Sequence, residues 1–121
     1  MKIRIQGNSV RMRLSRTEVG ILCTEGYIQE NTTFGSSTLS YAVKRDPLLN
    51  ELAAAFNNNR ITMFVPAVFL ENWTKNNVVG LDARMRVGAD TALYLLLEKD
   101  FKCMDATEDQ SDKYENPDKT C

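Results

Sequence analysis

The sequence of 121 residues predicts an α+β fold. We expect about eight mostly antiparallel strands in a strongly curved or barrel-like sheet, with two short helices. The chain reads as two strand-strand-helix-strand-strand halves. Three observations indicate this: apolar and polar residues alternate in paired runs, tight-turn residues separate the runs, and two helix signals begin roughly 50 residues apart.

The first strand pair covers residues 2–14, where apolar side chains alternate with cationic ones on either side of Gly7-Asn8. A two-residue Gly-Asn loop favours a primed turn, which fixes the register of the hairpin. One face is then wholly apolar and the other wholly cationic. The predicted opposite pairs are Ile5 with Val10, Ile3 with Met12, Arg4 with Arg11, and Lys2 with Arg13.

A helix is predicted directly after this hairpin. Ser15 and Glu18 have the spacing of a capping box, in which each side chain bonds the other residue's backbone N–H. The helix should run to about Glu25, because Gly26 can adopt the left-handed conformation that ends helices. Cys23 lies on its apolar stripe, where a free thiol behaves as a small hydrophobic group.

The other elements follow from the same two patterns. The segment 48–56 fits both a helix and a strand, and the three asparagines at 57–59 favour a strand because they resemble a hairpin loop. A second helix should start at Pro66 and extend two to three turns to about residue 75. The predicted strands are 27–33, 38–44, 51–56, 60–65, 78–87 and 91–99.

Composition limits the class of protein. With 15 basic and 16 acidic residues the net charge is −1, so neither nucleic acid nor a membrane is an expected partner. No apolar run could span a bilayer, and we expect a cytoplasmic protein. We expect residues 1–103 to form a single α+β domain and residues 104–121 to form an acidic, disordered tail.

Several catalytic chemistries have no support in the sequence. There is no histidine, which removes His-dependent triads and His-ligated metals. The three cysteines, Cys23, Cys103 and Cys121, are far apart and form no metal-binding or redox motif. No phosphate-binding glycine loop is present, so we expect no cofactor, no metal and no catalytic residue.

The most informative feature is a cluster of cations. Five basic residues and no acidic ones fall within residues 1–16, and four of them lie on one hairpin face. Like charges on opposite strands repel, so an anion is expected over that face. Arginine suits phosphates and carboxylates because its planar group donates two parallel hydrogen bonds. The candidate residues for an anionic, phosphate-bearing or polycarboxylate ligand are Lys2, Arg4, Arg11 and Arg13, with Arg84 and Arg86 as weaker candidates.

Other interpretations stay open. In one alternative the cations form a solvated face balanced by Glu30, Glu98 and Asp100, and in another the acidic tail lies across them. An interaction module or homodimer would use a strand edge or an apolar patch near Trp73, although Trp73 fits a core position better. An enzyme would have to rely on Glu98, Lys99 or Asp100.

Two resemblances add to these predictions. The segments KIRIQGNSVRMRLSRTEV, FVPAVFLENW and LLLEKDFKCMD together resemble a family of short uncharacterised bacterial proteins, a domain of unknown function. The two-half arrangement with basic strands is similar, in topology only, to triphosphate tunnel metalloenzymes. That similarity implies phosphate binding at Arg11 and Arg13. It does not carry over metal-dependent hydrolysis, because residues 2–6 lack the two glutamates that hold the metal in those enzymes.

Overall fold

A computed structural model describes residues 1–101 as eight strands and two helices, which confirms the predicted element order. The predicted acidic tail, together with Cys103 and Cys121, lies outside the described residues. The elements are β1 (Lys2–Ile5), β2 (Ser9–Leu14), α1 (Arg16–Glu25), β3 (Tyr27–Thr33), β4 (Thr38–Asp46), β5 (Ala53–Asn57), β6 (Arg60–Pro66), α2 (Ala67–Leu70), β7 (Gly80–Arg86) and β8 (Ala92–Lys99).

The strands form two separate sheets. The first sheet has the order β1-β2-β8-β7 and the second has the order β3-β4-β6-β5. Each sheet consists of two antiparallel hairpins side by side. The inner strands of the two hairpins run parallel to each other, β2 beside β8 in the first sheet and β4 beside β6 in the second. The prediction of one mostly antiparallel, strongly curved or closed sheet was therefore wrong: the sheets are mixed and do not close into a barrel.

The connections through the helices explain the parallel pairs. Helix α1 carries the chain from the first sheet to the second, and α2 carries it back. The last hairpin therefore returns to the first sheet, where β8 lies between its hairpin partner β7 and β2 of the first half. A hairpin pattern in the sequence specifies antiparallel neighbours, but it holds no information about which hairpin lies beside another.

The apolar faces of both sheets contribute to a single core. Met12 and Leu97 are fully buried in the first sheet, as are Val43 and Met63 in the second. Residues from both helices, including Leu22 and Trp73, belong to the same cluster. We call the sheet surfaces that point away from this core the outer faces.

The local predictions for the first 26 residues are confirmed. The β1–β2 register matches at all four predicted pairs. The capping box is present, with Ser15 Oγ accepting from the Glu18 N–H at 3.2 Å and Glu18 accepting from the Ser15 N–H at 2.8 Å. Gly26 ends α1 with φ of 79°, a left-handed conformation.

The predicted β5–β6 hairpin is also confirmed, while α2 is shorter than expected. Asn58 and Asn59 both have positive φ, the conformation that a two-residue primed turn requires. After Leu70 the helix gives way to tighter i→i+3 turns, including a Trp73 N–H bond to the Leu70 carbonyl. These turns bury the Trp73 ring completely, and its indole N–H donates to the Val78 carbonyl at 2.9 Å.

Candidate functional site

The outer face of the first sheet carries all six candidate cations. Alternation along β1, β2 and β7 directs their side chains away from the core residues that lie between them. We call this surface the basic face. It comprises Lys2, Arg4, Arg11, Arg13, Arg84 and Arg86.

The cations meet on one face through strand order and not through closure of a barrel. Lys2 is directly opposite Arg13, and Arg4 is directly opposite Arg11, on the antiparallel pair β1–β2. Strand β8 then lies between β2 and β7, so one strand separates these pairs from Arg84.

Half of the β1–β2 cations have acidic partners. Lys2 Nζ lies 2.9 Å from an oxygen of Asp100, and Arg13 Nε donates to Glu98 at 2.7 Å. Glu98 and Asp100 are two of the three acids that a simple solvated face would use. The third, Glu30, lies elsewhere in the molecule.

The Arg4–Arg11 pair has no such compensation. Arg4 donates to the amide oxygen of Gln6 at 3.1 Å, and no carboxylate of residues 1–101 forms an ion pair with either arginine. The Nε of Arg11 is buried and has no hydrogen-bond partner in that part of the chain. A buried donor without a partner is costly, and here it belongs to a charged group that faces another cation.

A second cluster on the basic face surrounds Tyr94, which sequence reasoning missed. Its hydroxyl donates to Asp82 at 3.0 Å, and the Arg84 guanidinium lies 5.8 Å from its ring centre. The hydrogen bond to the Asp82 carboxylate raises the pKa of Tyr94 above its ordinary value. The alternation of Leu93, Leu95 and Leu97 on β8 was the available signal, because it places Tyr94 on the other face.

An open cavity of about 610 Å³ adjoins this cluster. It is lined by Arg84, Tyr94, Asp82, Ala83 and Glu51. Two carboxylates beside one guanidinium make it a poor cavity for an anion, because they repel the ligand. The cations opposite each other on β1 and β2 are therefore better placed than Arg84.

A further polar cluster joins the two sheets at the edges formed by β1 and β3. The amino group of Met1 donates to the carboxylates of Glu18 and Glu30, the latter at 2.8 Å, and the Tyr41 hydroxyl donates to Glu30 at 3.2 Å. Burial opposes the charge on this amino group, but the two carboxylates raise its pKa above 8.0. Burial likewise opposes the charge on Glu18, whose pKa the bonds to the amino group and Ser15 nevertheless lower.

The residues required by the alternative interpretations are engaged in structural contacts. Lys99 Nζ donates to the Asn76 carbonyl at 2.9 Å and lies 5.5 Å from the Trp73 ring centre. Glu98 and Asp100 pair with cations of the basic face. Trp73 is 0% exposed, so its ring belongs to the core, and an interface at a strand edge or at an apolar patch near it stays a prediction.

Residues 1–101 contain neither a metal-binding cluster nor a membrane-spanning helix. No cluster of acidic or cysteine side chains there could hold a metal ion, and no helix there is long and apolar enough to cross a membrane. Burial raises the pKa of the Cys23 thiol, which disfavours the reactive thiolate.

The fold and site define a small α+β protein of two mixed sheets with one strongly basic outer face. Comparison of the sequence with family models matches residues 1–118 to a family of unknown function, DUF7009. The chain belongs to that family. No curated protein and no solved structure matched the chain.

The similarity to triphosphate tunnel metalloenzymes gains no support. A tunnel requires a closed sheet with cations inside it, whereas these two sheets stay open and their inner faces are apolar. The cations lie on the outer face, because they alternate along β1 and β2 with apolar residues that face the core.

Proposed function

We propose that this protein binds a small anionic ligand, bearing a phosphate or carboxylates, at the Arg4–Arg11 pair of the basic face. The proposal assigns no catalytic step. The observation that carries it is the direct opposition of two guanidinium groups with no carboxylate of residues 1–101 paired to either.

The neighbouring pair shows why this opposition points to a ligand. Lys2 and Arg13 are opposed in the same way one row along, and there the chain supplies Asp100 and Glu98 as partners. The protein thus neutralises one pair and leaves the other open. Arg11 opposes Leu96 on β8, so the strand on its other side contributes no acid at that position.

The chemistry of the pair fits a divalent anion. Each guanidinium group offers a planar set of N–H donors, and a phosphate or dicarboxylate has enough oxygens to accept from both. The buried Nε of Arg11 has no partner within residues 1–101, so the protein satisfies fewer of the donors of this guanidinium group than it could. Removing the repulsion between the two cations adds to the affinity, because the free protein bears that cost alone.

The test is the thermal unfolding of the protein in the presence of phosphate, pyrophosphate and citrate. A ligand that binds only the native state stabilises it by about 2.7 kcal/mol at a hundredfold excess over its dissociation constant. We expect a rise in unfolding temperature for at least one of these anions at constant ionic strength. The rise should be lost in the double variant Arg4→Gln/Arg11→Gln.

A charge-matched control separates this site from general electrostatics. The double variant Lys44→Gln/Lys75→Gln also removes two cations, but from exposed positions outside the basic face. It should keep the full response to the anion. An equal loss of response in both double variants would contradict the proposal, as would the absence of any response in the unmodified protein.

A further inference from the structure

A strip of partly exposed apolar surface lies beside the Arg4–Arg11 pair on the basic face. Leu96 is the residue of β8 that pairs with Arg11, and Tyr94 lies two residues earlier on the same side of that strand. Both side chains point away from the core, because they alternate with the buried leucines of β8. Both also stay partly exposed. The basic face therefore offers a ligand apolar surface next to two opposed cations.

The ring of Tyr94 is held in place by polar neighbours. Its hydroxyl donates to Asp82 at 3.0 Å, and the Arg84 guanidinium lies 5.8 Å from the ring centre. The bond to Asp82 raises the pKa of Tyr94, while the charges of Arg11 and Arg84 oppose this rise, so both guanidinium groups lie near the ring. An aromatic ring that is already oriented loses little freedom when a planar group stacks on it.

The far end of the same face is acidic. In the strand order β1-β2-β8-β7, Arg4, Arg11, Leu96 and Asp82 occupy one row across the sheet. Since neighbouring strands are about 4.8 Å apart, the backbone of Asp82 lies about 12 Å from the midpoint of the Arg4–Arg11 pair. Asp82 and Glu51 line the open cavity of about 610 Å³, and neither has an ion pair within residues 1–101. The row thus changes from cationic through apolar to acidic.

This order of surfaces selects the parts of a ligand. The opposed guanidinium groups bind an anion, and a planar group suits the apolar strip. The ionised carboxylates of Asp82 and Glu51 can only accept hydrogen bonds, so they favour an amino group. The cavity volume falls in the range of small-molecule pockets. A nucleotide with an amino group on its base carries a phosphate, a planar base and N–H donors in this order. An inorganic anion would leave the strip and the acids unused.

We propose that the ligand of the Arg4–Arg11 pair is a free mononucleotide whose base carries an amino group, such as AMP. Its phosphate accepts hydrogen bonds from Arg4 and Arg11, its base stacks on Tyr94, and its amino group donates to Asp82. The inference rests on the proposed function, because it names the ligand class of the same anion site.

The first test is isothermal titration calorimetry of the full chain with four ligands at constant pH and ionic strength. They are AMP, purine riboside monophosphate, which lacks only the amino group, ribose phosphate, which lacks the base, and pyrophosphate. Because stacking of one base is worth about 1–3 kcal/mol, AMP should bind at least about fivefold more tightly than ribose phosphate. It should bind at least about twofold more tightly than purine riboside monophosphate, through the hydrogen bond to Asp82.

The second test removes the aromatic ring. Tyr94→Leu should weaken AMP binding by at least about fivefold and change pyrophosphate binding by less than about twofold. Phe64→Leu is the matched control, because Phe64 is a partly exposed aromatic residue on the outer face of the second sheet, on its inner strand β6. It should leave AMP binding unchanged. Asp82→Ala should make AMP and purine riboside monophosphate bind equally. Circular dichroism checks that each variant is folded, and the ligand series needs only the unmodified protein.

The outcomes separate this inference from the proposed function. If neither AMP nor pyrophosphate binds, both are overturned. If pyrophosphate binds and AMP binds no more tightly than ribose phosphate, the inference alone is overturned. Equal effects of Tyr94→Leu and Phe64→Leu on AMP binding would also overturn it. So would tighter binding of a single-stranded oligoadenylate than of AMP, because the ligand would then be a nucleic-acid strand.

Discussion

The two sheets share one topology and differ in their outer faces. Each consists of two antiparallel hairpins whose inner strands run parallel to each other, and each has an apolar face toward the common core. The outer face of the second sheet is largely neutral on β3 and β4. There Asn31 accepts a hydrogen bond from Ser40 at 2.8 Å and another from Gln29 at 2.9 Å. On β1 and β2 the corresponding positions carry four cations.

This difference shows that the strand pattern itself does not require a cationic outer face. The second sheet forms the same strand pattern with amides and hydroxyls that satisfy one another. The first sheet instead places Arg4 opposite Arg11, an arrangement that lowers stability. A feature that the fold does not require and that costs stability is typical of a binding site.

The largest expected effect on stability concerns the hydrophobic core that the two sheets share. Leu97→Ala in the first sheet and Met63→Ala in the second both empty fully buried positions of one core. Each should lower the free energy of unfolding by about 2–5 kcal/mol, measured by urea denaturation. Val68→Ala, at a position 68% exposed, should change it by less than about 0.5 kcal/mol. A small loss at only one core position would show that the sheets do not share a core.

The second prediction compares the stability cost of a substitution on the edge strand β7 of the first sheet with one on the edge strand β5 of the second. A Cβ on Gly80 would lie 2.2 Å from the Leu97 carbonyl oxygen, so β7 approaches β8 closely at this position. We expect Gly80→Ala to lower the free energy of unfolding by about 1–3 kcal/mol. The first residue of β5 in the second sheet is Ala53, which already has a Cβ. Ala53→Gly should cost only about 0.5–1 kcal/mol, and equal costs would contradict this account of the edge.

A third effect tests the charges of the basic face. Arg4→Gln should raise the free energy of unfolding by up to about 1 kcal/mol at low salt, because it removes repulsion from Arg11. The gain should shrink as sodium chloride is added. Arg13→Gln should lower stability slightly, since Glu98 loses an ion-pair partner that is partly exposed. Destabilisation by Arg4→Gln would show that the pair is not a source of strain.

The smallest effect concerns the contact between the sheets at Met1. The pKa of Glu18 is lowered from 4.5, so its contribution to stability is present above that pH and is lost as the pH falls through the folded-state pKa. The pKa of the Met1 amino group is raised from 8.0, so its contribution is lost as the pH rises through its folded-state value. Glu18→Gln should therefore reduce the loss of unfolding temperature on both limbs of its plot against pH, the acidic one and the alkaline one. Unchanged limbs would contradict the assignment.

Local features could be predicted from the sequence, because their causes lie within a few residues. The β1–β2 register follows from Gly7-Asn8, and the start of α1 follows from Ser15 and Glu18. The division into two sheets could not be predicted, because it depends on β8 entering beside β2, more than 80 residues along the chain. Alternation specifies which face of a strand is buried, and it does not specify the neighbouring strand.

The same limit applies to the candidate site. The sequence placed Arg4 opposite Arg11, since both belong to one hairpin. It could not show that Glu98 pairs with Arg13 while Arg11 has no acidic partner in residues 1–101, because those contacts depend on the register between β2 and β8. It also gave no sign of the cavity beside Tyr94, which forms where Glu51, ahead of β5, lies beside β7 and β8.

The most direct test of the basic face is a titration of the isotopically labelled protein with pyrophosphate, followed by the Nε–Hε NMR signals of its arginines. The signals of Arg4 and Arg11 should shift together and saturate, because the two opposed guanidinium groups bind the same anion. Arg60, which lies on the second sheet, should not follow them. Unmoved signals at Arg4 and Arg11, or equal shifts at Arg60, would contradict the anion site.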